Sequence, residues 1–474
     1  MSSIRPIQPR SNPLPKFQLF LILLIQVTEP ITAQVIYPFI IGAVRSTGII
    51  HGDEKKTGYF AGIIESMFFL AECLTVFYWG RLSDLYGRRK ILLLGPLGLS
   101  IAMLGFGISK NFVALVIFRA LQGMFNGNIG VSKTVMAEIT DSTNMCGAFT
   151  MIPIMWSVGS AVGPALGGVL ASPATRWPET FGKFAFFHDY PYFLPCAAAG
   201  CLAFVAFFFG YLGLKESSPA FKDKKCNEII SSEETEPLLR DGEQREDYGS
   251  GDNHDGHDRL LSVRELLTAE FRIILLNYGL LSVTDMAWFV FVLIPLSYSS
   301  SIPIGGLGLS PYQVGLILGI FASINGIWNL LVLRKVLKRI GPRTMYIVSY
   351  ASFLIIFPLL WIIRETAHAA GKVNALVWSL IVCQLCAATF VTSGYYSMQL
   401  LIVQSAPPNS LGAVNGLAHT VASGTRGLAP LFASSLFSVS LESRLAGGHL
   451  VEIVLIALSI TGVFCSFQLP NNRL

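Results

Sequence analysis

Apolar runs of about twenty residues recur along the chain, each closed by a short polar break. A helix rises about 1.5 Å per residue, so roughly 20 apolar residues cross the hydrocarbon core of a bilayer. By that measure the runs at 17–44, 57–79, 91–108, 112–137, 146–170 and 191–212, then at 271–298, 312–335, 344–363, 373–400, 411–437 and 448–468, each predict a spanning helix. A long polar insert separates six from six. The pattern predicts an all-α polytopic membrane protein, twelve transmembrane helices in two six-helix halves. Its units are a tail over 1–16, a first half over 17–212, a central loop over 213–270, a second half over 271–468 and a tail over 469–474. Residues 226–258 are rich in Glu, Asp, Ser and Gly and bury too little apolar surface to fold alone, so that stretch is expected to be disordered. Residues 259–269 have helical apolar spacing and predict an amphipathic helix leading into the seventh span.

Composition agrees with this. Charged residues make up 13% of the chain, about half of what a soluble protein carries. The net charge of +5 has no nucleic-acid meaning, because the basic residues fall in short loops between apolar runs. Lys and Arg are retained on the cytoplasmic side of a membrane. Arg5, Arg10 and Lys16, then Arg81, Arg88, Arg89 and Lys90, then Arg334, Lys335, Lys338, Arg339 and Arg343 all fall on one side. The opposite loops are nearly neutral, so both termini are expected in the cytoplasm. The first run is too long and too polar-punctuated for a signal peptide and is expected to be the first span. Cys383 and Cys386 sit in an apolar run with no metal-ligand spacing, and are expected to be small core residues.

Three local patterns stand out. Residues 79–90 pack Gly80, Asp84, Gly87, Arg88 and Arg89 into the loop after the second run. In the fifth run, Gly159, Gly163, Pro164, Gly167 and Gly168 give a flat helix face interrupted by a proline that removes one hydrogen bond. In the fourth, Arg119 stands four residues before Gly123. The chain resembles the major facilitator superfamily at all three places and across all twelve runs. The leading Trp79-Gly80 further resembles the zinc-induced-facilitator-like branch, and the Glu29-Pro30 step resembles the first span of the fungal multidrug:proton antiporter group. That resemblance implies the major facilitator fold, a gating role for 80–89 that stabilises one access state, and antiport from the fifth-span pattern. The second half repeats the basic loop as Arg334 to Arg343, without an acid matching Asp84.

Ionisable residues within spans are costly and point to function. Glu29 lies mid-span in the first run, Glu65 and Glu72 on one face of the second, Arg119 in the fourth, Asp285 in the seventh and Arg426 in the eleventh. Counting from the span ends puts Glu65 level with Arg119 and Asp285 level with Arg426. This predicts two charge-compensated sites, one per half. Glu29 is the first choice for a carboxylate shared between a proton and cargo, then Asp285. Asn325 and Asn329, Tyr395 and Gln399, and His419 are candidate cavity-lining residues, and Trp288 could stack on a cation. Lys133 and Glu138 are expected to be interfacial charges.

In the central loop, Glu234 four residues before Leu238-Leu239 fits an acidic dileucine signal read by a sorting adaptor, and His254 and His257 form a loose His pair. No phosphate-cradling loop or catalytic constellation is present, and no cofactor or metal is expected. The expectation is therefore a proton-coupled secondary transporter, an antiporter working by alternating access. It would export or sequester a small organic molecule, drug or metal chelate at the vacuolar or plasma membrane. A nutrient uniporter or symporter and a non-transporting sensor of the same fold are the alternatives.

Overall fold

The computed structural model describes residues 13–51, 53, 56–141, 144, 148, 151–218, 263–297, 307–405, 411–443 and 449–470. Helices fill the predicted apolar runs wherever they are described. The first half holds α1 (Lys16–Gln34), α2 (Ile40–Ser46), α3 (Thr57–Tyr86), α4 (Arg88–Gly107), α5 (Phe112–Asn126), α6 (Ile129–Glu138), α7 (Ile152–Leu170) and α8 (Phe193–Gly213). The second holds α9 (Ala269–Ser297), α10 (Pro311–Trp328), α11 (Arg334–Ala351), α12 (Phe353–Ala370), α13 (Ala375–Ser405), α14 (Leu411–Ser443) and α15 (Leu450–Ser466). Seven described helical stretches are long and apolar enough to cross a membrane, and one of these, Pro311–Ala370, is 60 residues long and covers two predicted runs. Leu74, Ile101 and Phe464 are more than 60% exposed. In water such residues would be a liability, whereas here they face lipid.

Two predicted spans are broken. The first divides between α1 and α2 at residues 35–39, where Tyr37 N donates to Gln34 O and leaves the Ala33 carbonyl free of the helix. Pro38 in this turn has no N–H to continue the ladder. The fourth divides between α5 and α6 at Gly127-Asn128. There the Met124 carbonyl, released from the ladder, accepts from Trp79 Nε1 at 2.6 Å and from Thr75 Oγ1 at 3.2 Å. A Cβ on Gly127 would lie 2.9 Å from both side chains, so only glycine lets α3 come this near. The second basic loop, expected as coil, is helical within α11 apart from Gly341 at φ 78. A π-helical turn, Asn329–Leu333, connects α10 to α11. Of the amphipathic helix expected over 259–269, residues 259–262 lie outside the described residues, and the described part holds the short turn Val263–Leu266 with α9 starting at Ala269.

The halves meet most extensively along α3 against α14 and α7 against α10. Both pairings depend on small residues. A Cβ on Gly168 would fall 2.6 Å from Pro311 O and 2.8 Å from Gly315 Cα, and one on Gly315 would fall 2.5 Å from Pro164 O. The remaining glycines of the fifth-span pattern serve the first half itself: Gly159, Gly163 and Gly167 lie against Pro30, Ile31 and Val35 around the α1 break. Cys383 and Cys386 are both exposed. They are therefore not core residues, because the face of α13 that carries them is turned away from the packed helices.

Candidate functional site: charges between the halves

Glu65 and Arg119 form a closed pair, as their matched depth predicts. Arg119 is fully buried and Glu65 nearly so. Arg119 Nη2 donates to Glu65 Oε2 at 2.9 Å and Oε1 at 3.1 Å, and to the Ala33 carbonyl at 3.0 Å. Nη1 donates to Gln122 Oε1 at 2.8 Å, and Tyr37 donates to Glu65 Oε1 at 2.8 Å. The Phe68 ring lies 4.3 Å from the guanidinium carbon. The α1 break thus supplies one carbonyl to the arginine's shell, while Nε is left buried without a partner.

The other charges gather in one cluster where the halves face each other. Glu29 accepts from Asn126 Nδ2 at 3.1 Å. Glu72, two turns of α3 from Glu65, is within interaction range of Asn126, Ser423, Lys133 and Arg426. Lys133 faces both Glu29 and Glu72 and donates across the halves to His419 Nε2 at 2.6 Å. Tyr395 donates to Asp285 Oδ2 at 2.8 Å, and its ring lies 5.1 Å from the Arg426 guanidinium. The predicted Asp285–Arg426 pairing is therefore indirect, with the tyrosine between them, and Arg426 also lies within electrostatic range of Glu72 in the first half. Glu29, Glu72, Lys133, Asp285 and Arg426 belong to one cross-half cluster instead of to separate sites in each half.

Lys133 is the clearest correction. Counting along an unbroken fourth span places it near the membrane boundary. The break after Asn126 re-aims α6 and turns Lys133 toward α14. Asn126 was also missed in the sequence, and its signal was the Asn126-Gly127-Asn128 triplet, an improbable run for the middle of a spanning helix.

The loop pattern at 80–90 closes on its own half. Arg88 pairs with Asp84 at 2.6 Å and with Glu138 at 3.0 Å. Glu216, just after α8, caps the first turn of α4 by accepting from the backbone N–H of Arg88 at 2.9 Å and of Arg89 at 3.1 Å. A carboxylate there also meets the positive end of the helix dipole. Gly87, at φ 96, makes the turn that presents these N–H groups. Glu138 holds Ser217 as well, so it is part of this network and not a free interfacial charge.

This arrangement of helices and motifs has known relatives. The family model described as Major Facilitator Superfamily matches residues 22–430. The chain belongs to the major facilitator superfamily. It is a membrane-spanning transporter-family protein, which agrees with the resemblance at the three sequence patterns. It is 28% identical to the major facilitator-type transporter psiT2 of Psilocybe cyanescens over 97% of this chain and 91% of that one. It is 25% identical to the major facilitator superfamily multidrug transporter mfsB of Aspergillus fumigatus, over 90% and 79% of the two chains. It is 26% identical to the protein ZINC INDUCED FACILITATOR-LIKE 1 of Arabidopsis thaliana, over 96% and 91%.

The remaining candidates lie apart from the cluster. Asn325 accepts from Thr392 at 2.8 Å, Gln399 is exposed and donates to Asn415 at 2.8 Å, and Asn329 sits in the π turn. Trp288 is only 4% exposed and packs edge-on against Phe321, so it does not face lipid. Glu234, Leu238, Leu239, His254 and His257 lie outside the described residues. A second buried ion pair escaped the sequence reading: Arg364 on α12 donates to Glu452 on α15 at 3.0 Å, with His449 beside both and stacked on Trp361.

Proposed function

We propose that this superfamily member is a proton-coupled antiporter that exports or sequesters a small organic molecule, drug or metal chelate. The charge count of the central cluster supports this. Glu29, Glu72 and Asp285 are three carboxylates, and Lys133 and Arg426 are two cations. His419 accepts from Lys133 and so adds no charge. With every carboxylate ionised the cluster is one positive charge short of neutral. A proton or the cationic group of a cargo can supply that charge, but not both at once. Exclusive occupancy of one charge position is what exchange requires, and differential affinity in two access states moves the equilibrium between them. Glu29 and Glu72 are the exchanging pair, and Asp285, held by Tyr395, adjusts the field.

Alternating access rocks residues 17–212 against 271–468, with 80–89 and its partners Glu138 and Glu216 stabilising one access state. Both termini lie in the cytoplasm, at the vacuolar or plasma membrane. Lipid headgroups meet the basic loops, and a sorting adaptor reads Glu234, Leu238 and Leu239. The word multidrug in the printed name of mfsB agrees with an organic cargo. The test uses proteoliposomes with an imposed pH gradient and an internal pH dye, challenged with organic cations, metal chelates and neutral xenobiotics. Collapse of the gradient by a compound that has no effect on empty liposomes is the expected result. Flux that never moves protons would replace antiport with facilitated diffusion.

A further inference from the structure

A cavity of about 20 Å³ lies inside the first half, among α1, α4 and the α5–α6 break. Its lining includes Glu29, Gln26, Asn126, Asn128 and Ser132. A volume of roughly 10–15 Å³ on this measure is enough for one water. The space therefore admits water.

The polar lining has one sign of hydrogen-bonding capacity. Gln26 Oε1, Asn126 Oδ1 and Asn128 Oδ1 are all buried and have no partner. These side chains are 6%, 4% and 5% exposed, so bulk solvent does not satisfy them. Their amide orientations are set by what the nitrogens do. With Glu29 ionised, Asn126 Nδ2 donates to its carboxylate and Asn128 Nδ2 to the Leu92 carbonyl, and neither acceptor then donates back. Gln26 Nε2 donates to Ser132 Oγ, whose own hydrogen goes to the Ile129 carbonyl. Three carbonyl oxygens are thus left needing donors, in a space the size of water, beside a membrane-buried carboxylate. An unsatisfied buried acceptor costs about 1–3 kcal/mol, so three in one cavity require an occupant.

We infer that this cavity holds water and forms a proton relay serving Glu29 from within the first half, separate from the face on which cargo binds. In the relay step the Glu29 carboxyl O–H bond breaks, its electron pair stays on the carboxylate, and the proton joins a lone pair of the cavity water. The resulting hydronium is a donor at every hydrogen, which suits an acceptor-only lining. Gln26 precedes Glu29 toward the Lys16 end of α1, and Ser132 leads along α6 to Glu138, the partner of Arg88, so the relay leads toward the basic face. The inference rests on Glu29 being the proton carrier, and it adds that proton and cargo reach this carboxylate by different routes.

The test is a pH jump on the purified full-length protein, with the protonated-carboxyl stretch followed by time-resolved infrared spectroscopy. The probe is the proton itself. The band that disappears in Glu29→Gln reports Glu29. In Gln26→Leu that band is expected to keep its amplitude while rising about tenfold more slowly, which corresponds to about 1.4 kcal/mol lost from the relay step. The milder Ser132→Ala should slow it in the same sense and keeps the relay testable where Gln26→Leu does not fold. An unchanged rate in both variants overturns the relay and leaves antiport standing. If Glu29→Gln removes no band, Glu29 carries no proton, and the proposed coupling falls with the relay. Folded Gln26→Leu in which the band rises at the wild-type rate also overturns it, and where that variant does not fold the rate in Ser132→Ala decides.

Discussion

Two sets of charges, built from the same residue types on the same helix α3, sit two turns apart and are finished differently. At Glu65 the arginine meets its carboxylate twice, a backbone carbonyl, an amide and an aromatic face, and a tyrosine completes the acid. At Glu72 the partners come from both halves, and the acids of the cluster outnumber its cations. The first set can only hold its shape. The second can change its proton or ligand content without unfolding. An ionisable residue in a membrane is therefore read better by whether its charge is matched within its own half than by its depth.

The largest expected effect comes from opening the charge-matched pair. Glu65→Gln leaves Arg119 buried without its counter-ion, at a cost of about 3–5 kcal/mol. We expect a large loss of detergent-solubilised thermal stability, read by a fluorescence melt. Wild-type melting would mean that the two sets do not differ in kind. Next is Glu29→Gln, which removes the exchangeable proton and leaves the packing intact. The melt should stay near wild type and cargo-for-cargo counterflow should persist, while flux driven by a pH gradient is lost. Equal loss of both fluxes would place Glu29 with the structural residues.

Lys133→Gln should act more moderately, by making the cluster one charge more negative and cutting its contact with His419. Competition assays should then show preference moving several-fold from singly to doubly charged organic cations. An unaltered preference would take Lys133 out of the charge count. The smallest effect is expected at Glu216→Ala. Losing an N-terminal helix cap costs about 0.5–2 kcal/mol, seen as a modest drop in melting temperature and altered opening rates of the 80–90 loop in spin-label distance measurements.

Much of this was legible in the sequence. Apolar run length located the spans, and counting residues from span ends paired Glu65 with Arg119, because both helices are regular between their ends and those residues. The same counting misplaced Lys133, because it lies beyond a break made by Gly127 and stabilised by Trp79, a contact between residues 45 positions apart. The Asp285–Arg426 pairing was right in depth and wrong in contact, since a one-dimensional count cannot see Tyr395 standing between them. Asn126 and Asn128 look like ordinary helix-bridging amides until their nitrogens are assigned and their oxygens are left over. Glu216 and Ser217 were passed over because they precede the long polar loop and read as part of it.

The contact between Gly168 and Gly315 has a mechanical consequence. Most helix pairs interlock like gear teeth, and turning one against the other means lifting side chains out of their sockets. At this crossing the backbones touch with no side chain on either glycine. There are no teeth to disengage, so the joint can roll or slide a short way while remaining in contact. It is a bearing surface set into the seam between the halves, and it lets them change their tilt without first coming apart.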